Sequence, residues 1–290
     1  MKKNLKLWLL LILVILVTTP CTSQDNSSKK NFLWQIESYK GKVYLLGSMH
    51  LAKKDLFPLD NVIENAFAES DYLVVEVDAS KINQQKILEM AMYSDKTKLE
   101  DKVSKETFSK LKDLFEKHEV PPAFYNRMKP WFAITFLVAQ ELKSEGYDQE
   151  GIDMHFLKTA KTKPILELES MYEQIELLSS FDTEPDKFIE YSLKDFSVSV
   201  KMVDSLTTAW KNGDSEEMNR LLNASLDDKE FEDLKYKMFD ERNIKMKDKI
   251  VDYLKADKIY FVVVGAGHIV GEKGILELLK KEKKYIIKQL

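Results

Sequence analysis
A chain of 290 residues, 44 % hydrophobic and 32 % charged, is long enough for one large domain that carries an insertion. Its formal net charge is only −4 and no basic block interleaves with aromatics, which argues against a nucleic-acid partner. Cys21 is the single cysteine, so no internal disulfide can form and any metal site must use histidines and carboxylates.

In chain order, residues 1–24 read as a secretory leader. Lys2, Lys3 and Lys6 form a basic start, residues 8–17 are continuously apolar, and Thr18-Thr19-Pro20-Cys21-Thr22-Ser23 is a small-residue exit. An apolar core of about ten residues is short for a membrane span. Cys21 stands where a lipoprotein is cleaved and acylated, although Pro20 is atypical before such a site. Ordinary cleavage just after Cys21 is the alternative. The expected address is outside the cytoplasm, periplasmic or cell-surface, with a lipid on Cys21 as the membrane attachment in the first case. A polar tether follows at 25–31.

Strand runs at 32–36 and 42–46, joined by Tyr39-Lys40-Gly41, predict a hairpin. Pro58 is expected to open a helix through about Ala68, and 72–77 reads as a buried strand. That order predicts a right-handed parallel crossover. Residues 81–145 look helical, broken at Pro121-Pro122. Pro130 suits the first turn of an apolar helix at 131–142, too short to cross a bilayer. Gly151-Ile152-Asp153-Met154-His155 starts another helix, and 164–168 is a short strand running into Glu169. Helices are expected from 171 to 254, with breaks near 182–185 and 212–213. Strand 259–264, a Gly-rich turn, helix 274–280 and strand 285–287 close the chain. Strands at both ends and helices between them predict an α/β class: a central mixed sheet with flanking helices, and a helical insertion or cap at about 81–254 within a domain spanning 32–290.

Histidine is scarce, four in 290 residues, and two of them end the same unit. Val43-Tyr44-Leu45-Leu46 runs into Gly47-Ser48-Met49-His50, and Phe261-Val262-Val263-Val264 runs into Gly265-Ala266-Gly267-His268. A buried strand followed by a glycine turn delivers side chains to the crevice at the carboxyl edge of an open α/β sheet. Neutral imidazole is a common metal ligand and a usual general base. Carboxylates hold similar places. Glu76 lies in the strand run at 72–77, where an ionised carboxylate is costly unless paired or bound to a cation. Glu169 follows the strand at 164–168. Asp153 and His155 straddle Met154 at a helix start. Arg242-Asn243 sits in a Lys/Glu-rich helix and His118 in another, neither with a local signal of its own.

These residues carry a resemblance. The chain resembles the TraB/GumN family, also called the Tiki-like or erythromycin esterase-like superfamily, over nearly all of its length after the leader. The matching segments are Leu45-Leu46-Gly47-Ser48-Met49-His50-Leu51, Phe57-Pro58-Leu59, Asp71-Tyr72-Leu73-Val74-Val75-Glu76-Val77-Asp78, Lys129-Pro130-Trp131 and Gly151-Ile152-Asp153-Met154-His155-Phe156-Leu157. Further on come Leu168-Glu169 with Gln174, Glu241-Arg242-Asn243, and Val263-Val264-Gly265-Ala266-Gly267-His268. Lys284 departs from the pattern where such chains often have Gly. The resemblance implies an α/β fold, a site lined by the two G-x-x-H histidines and acidic residues, and metal-dependent hydrolysis. Tiki-like members resemble membrane-tethered metalloproteases, TraB-type bacterial members are linked to shutting down peptide pheromones, and neighbouring members bind haem or cleave a lactone.

The favoured expectation is a metal-dependent hydrolase outside the cytoplasm acting on a peptide or protein. His50, His268 and one carboxylate would hold a divalent ion, Mn, Co or Zn, with a position open for water. Glu76 is the candidate base or third ligand, with Glu169 and Asp153 next. Arg242 is the candidate to neutralise an oxyanion or to orient a carboxylate. A variant without metal pairs His50 with Glu76 as acid and base. The alternative class is a non-catalytic protein that sequesters a peptide or haem, with His50, His155 or a tyrosine as axial ligand. Neither G-x-S-x-G nor H-E-x-x-H occurs, which argues against a serine hydrolase and a zincin.

Overall fold
The computed structural model describes residues 30–193, 196–226 and 232–290. The expected leader, Cys21 and most of the expected tether lie outside the described residues. The chain opens with strands β1 (Leu33–Glu37), β2 (Lys42–Ser48) and β3 (Leu51–Ala52), then helix α1 (Asn61–Glu69) and strand β4 (Tyr72–Val75). A helical stretch follows: α2 (Gln84–Ala91), α3 (Lys105–Lys117), α4 (Pro122–Tyr125) and α5 (Pro130–Ser144). The chain then returns through β5 (Gln149–Glu150), α6 (Ile152–Thr159) and β6 (Ile165–Glu167). Helices α7 (Met171–Ser180), α8 (Pro185–Leu193), α9 (Phe196–Lys211), α10 (Ser215–Leu226), α11 (Glu232–Lys235) and α12 (Glu241–Leu254) come next. Last are β7 (Ile259–Gly265), α13 (Ala266–Ile269), α14 (Ile275–Lys281) and β8 (Ile286–Gln289).

The main sheet has six strands in the order β6-β4-β7-β2-β1-β8. The run β6, β4, β7, β2 is parallel, and β1 and β8 are antiparallel, so the sheet is mixed as expected. The β1–β2 turn is closed by Ser38, whose Oγ accepts from the Lys40 and Gly41 amides at 3.0 and 2.9 Å. β2 and β7 sit inside the sheet and are buried on both faces, which accounts for their unbroken apolar runs.

Local chemistry moves several boundaries. Helix α1 starts at Asn61 and not at Pro58, because the Asp60 carboxylate caps it by accepting from the Val62 amide at 2.9 Å. Strand β4 ends at Val75, one residue before Glu76. The turn expected after β7 is a single helical turn, α13, that carries His268. Pro130 does open α5, and the Asp182 carboxylate accepts from the Trp131 amide at 3.0 Å. Among the described residues, no helix is long and apolar enough to cross a membrane.

Two hydrophobic cores result. One packs both sheet faces, with Leu45, Val74, Phe261 and Val262 against Phe156, Met246 and Ile250. The other lies in the helical stretch α2–α5 with α7 and α8 added to it, with Leu111, Phe115, Leu137 and Ile189 fully buried and the Phe115 and Tyr125 rings stacked at 4.5 Å. Within residues 81–254, α6, β6, α9, α10 and α12 pack with the sheet core and not with this second one.

Candidate active site
All four parallel strands point their carboxyl ends to one edge, and each leads into a residue singled out in the sequence. β2 leads to His50, β7 to His268, β4 to Glu76 and β6 to Glu169. β2 and β7 are neighbours with Ser48 opposite Gly265, so the two G-x-x-H units start side by side. The β4–β6 ladder continues past the strands, the Glu169 amide donating to the Glu76 carbonyl at 2.8 Å.

Gly265 marks the centre. A methyl group at its Cα would stand 3.2 Å from Glu76 Oε1, 3.5 Å from His268 Cδ2 and 3.7 Å from His50 Nε2. The three side chains therefore surround one small space beside the Gly265 backbone. The Gly265 amide donates to Glu76 Oε1 at 2.5 Å, and His268 Nε2 lies 3.7 Å from the same oxygen.

Each histidine is held from behind. Asp153 Oδ2 accepts from His50 Nδ1 at 3.0 Å, and Ser48 Oγ donates to Asp153 Oδ1 at 2.9 Å. Asp153 reaches this place because the Gly151 and Ile152 amides at the start of α6 donate to the His50 and Met49 carbonyls, each at 3.1 Å. Only glycine permits that approach: a Cβ at 151 would meet the Met49 carbonyl oxygen at 2.0 Å. Asn243 Oδ1 contacts His268 Nδ1 at 2.6 Å.

The electrostatics differ between the two rings. The hydrogen bond to Asp153 pushes His50 up to about 9, against burial, with the charges of Asp153 and Glu76 adding to it. Its side chain is nevertheless 69 % exposed to solvent. His268 is buried, and burial pushes it down to about 4, so it is neutral at physiological pH. Burial would raise Asp153, but its bonds to His50 and Ser48 hold it below the usual range.

Behind Glu76 stands an ion-pair cluster. Arg242 donates through Nε and Nη2 to Glu169, the shortest contact 2.7 Å, and through Nη2 to Glu76 Oε2 at 3.1 Å. Gln174 Nε2 bridges both carboxylates, at 3.1 Å to Glu169 and 3.3 Å to Glu76. Burial would raise Glu169, but Arg242 outweighs it and holds that carboxyl below its ordinary value. Arg242 is fixed in turn by the Met238 carbonyl, inside the π-helical turn Tyr236–Asp240 that runs into α12. Such turns shift the phase of the following helix and recur at functional sites.

The sequence profile of the TraB/PrgY/gumN family matches residues 32–289. The chain belongs to the TraB/PrgY/gumN family. It is similar to uncharacterised protein YbaP of Escherichia coli (strain K12), 24 % identical over 240 residues that cover 82 % of this chain and 87 % of YbaP, and to YbaP of Shigella flexneri to the same extent. No solved structure matches the chain.

In this TraB-family chain, then, His50, His268 and Glu76 border one space beside Gly265, Asp153 stands behind His50, and Glu169 with Arg242 stands behind Glu76. His155 is elsewhere, its Nε2 2.8 Å from Glu64 Oε1, and His118 pairs with Glu141 in the helical core. Ser48, Gln174 and Asn243 touch the site residues and had no role assigned from sequence. Among the described residues, no group of three or more His, Cys, Asp and Glu side chains stands ready to hold a metal ion. The donor types nevertheless suit one. His50 Nε2, the Cδ2 edge of His268 and Glu76 Oε1 border the same space, His268 Nε2 lies 3.7 Å from that oxygen, both Nδ1 atoms are hydrogen-bonded from behind, and ligands of a tetrahedral ion stand about 3.3 Å apart.

Proposed function
We propose that the protein is a metal-dependent hydrolase, acting outside the cytoplasm on a peptide or protein, with the crevice beside Gly265 as its active site. The observation that carries this reading is the convergence of His50 Nε2, His268 and Glu76 Oε1 around one space at the carboxyl edge of the sheet. Family membership supports the reaction class, and the apolar leader supports the location. His50, His268 and Glu76 are the residues that would hold a divalent ion. When bound, such an ion lowers the pKa of a water and polarises a carbonyl.

The chain's own groups divide the remaining work. Glu76 offers Oε1 to the reacting centre, as base or as ligand. Arg242 is turned onto Glu76 and Glu169, so its part is to orient a carboxylate and keep it ionised. Glu169 is occupied by that pairing, and Asp153 by His50. A second reading has specific support: Asp153 keeps a proton on His50, which suits His50 as acid and Glu76 as base with no ion.

Metal analysis of purified protein, a visible scan for haem and a peptide-library cleavage assay test the proposal together. Glu76→Gln keeps the side chain's shape and removes its basicity. It is expected to leave the fold intact by circular dichroism and to lower turnover by about 10²- to 10⁴-fold, the usual worth of a general base. A chain with His50→Ala, Glu76→Gln and His268→Ala combined that still turned over substrate at the wild-type rate would end the hydrolase reading. Cell fractionation that finds full-length protein in the cytosol would end the export reading.

A further inference from the structure
We infer that Asn243 is a positioning residue that fixes the tautomer of His268, keeping the proton on Nδ1 and a bare lone pair on Nε2 toward Glu76. The inference deepens the proposed function, because it is Nε2 of His268 that would serve the reaction.

An amide has two unlike ends, so its orientation follows from its partners. Asn243 is 2 % exposed, and both ends of its side chain are bonded. Its Nδ2 lies 3.0 Å from the Lys273 carbonyl, which can only accept. The Asn243 amine must therefore point at Lys273, and Oδ1 must point at His268 Nδ1, 2.6 Å away. An oxygen with no hydrogen demands a donor, so Nδ1 carries the proton. The neutral ring then has none on Nε2, which faces Glu76 Oε1 at 3.7 Å without donating to it.

The Lys273 carbonyl is itself aimed by structure. Lys273 Nζ pairs with buried Asp240 at 2.6 Å, just before α12, and the Gly274 amide closes a turn onto the Gly271 carbonyl at 2.9 Å. Carbonyl, amide and imidazole thus form a one-way chain. Few side chains can take the middle place. A carboxylate accepts at both ends and would oppose the Lys273 carbonyl, and alanine reaches neither. Without Asn243, the proton gains by moving to Nε2, where the Glu76 carboxylate can accept it, and the nitrogen that faced the crevice as an acceptor becomes a donor.

The test is the tautomer itself. Nitrogen chemical shifts of the 15N-histidine-labelled full chain distinguish Nδ1–H from Nε2–H, and His268→Gln assigns the signal among four histidines. Wild type is expected to show the Nδ1–H form, and Asn243→Ala to show the Nε2–H form with the chain still folded. Asn243→Leu, close in volume and unable to accept a hydrogen bond, is expected to show the same change, which serves if the alanine variant fails to fold. Wild-type protein in the Nε2–H form, or an unchanged Nδ1–H signal in both variants, would overturn the inference. Titration with zinc alone separates this from the functional reading. A flipped tautomer with about 10- to 100-fold weaker zinc binding supports both. A flipped tautomer in a protein whose wild-type form binds no zinc leaves the positioning role standing and removes the metal.

Discussion

At residue 265 the site depends on a missing methyl group. The backbone there, φ −51° and ψ 135°, suits alanine as well as glycine, so Gly265→Ala brings no backbone strain. It does fill the space shared by Glu76, His268 and His50. We expect the variant to melt within a few degrees of wild type while turnover falls by about 10²-fold, the usual cost of a 1 Å misplacement at a reacting centre. Unchanged turnover in a folded Gly265→Ala protein would place the chemistry elsewhere. The residues legible in the sequence were those that end strands: His50, Glu76, Glu169 and His268 each follow an apolar run, and a run buried on both faces has to stop at the sheet edge. Arg242 was not legible in that way. Its neighbours in the helix are Lys and Glu, and only packing shows that this arginine is turned inward, 13 % exposed. Ser48, Gln174 and Asn243 act through partners 105, 98 and 25 residues away, a distance over which no local spacing speaks.

Among the elements, the start of α1 was misread because a side chain bonded to the backbone outweighs a proline signal. Asp60 decides where α1 begins, and Asp182 holds the start of α5 from a distant turn. Asp182 has a consequence for stability. Burial pushes its carboxyl up to about 6, despite the Trp131 amide and the charge of Lys129. An acid whose folded pKa lies above its unfolded value of 3.8 binds more protons when folded at pH between the two. Its contribution is therefore full below about pH 4 and is lost as pH rises through about 6. Asp182→Asn keeps the acceptor and removes the charge. Urea midpoints at pH 4.5 and 7 should show the variant gaining on wild type as pH rises, by no more than about 1 kcal/mol for a group only partly shielded from water. The opposite sign would mean that the helix terminus rewards the charge by more than burial penalises it.

Over the whole molecule, the two cores need no covalent staple. With Cys21 as the only cysteine, stability comes from packing in the sheet unit and in the helical stretch. Leu137, fully buried in the middle of α5, reports on the second of these. Leu137→Ala is expected to cost about 2–5 kcal/mol in denaturant unfolding, and a loss below about 1 kcal/mol would show that the helical stretch is not packed as a core. The α/β class and the mixed sheet were legible from alternating element types. The neighbours of each strand were not, since strand order depends on which crossover passes over which, and β4 and β2 are separated by a strand from near the chain's far end.

That placement of β7 also sets the timing of the site. β7 is the last of the four parallel strands to be made, yet it lies between β4 and β2 and carries Gly265 and His268 at its end. Residues 42–76 can be complete, and the helices folded, while the middle of the sheet is still an open slot. Synthesis runs from the N-terminus, so His50 and Glu76 wait without their central partner until the final thirty or so residues arrive. On the proposed reading, activity is withheld from every copy of the chain in which β7 has not yet docked between β4 and β2. Strand order alone supplies that latency.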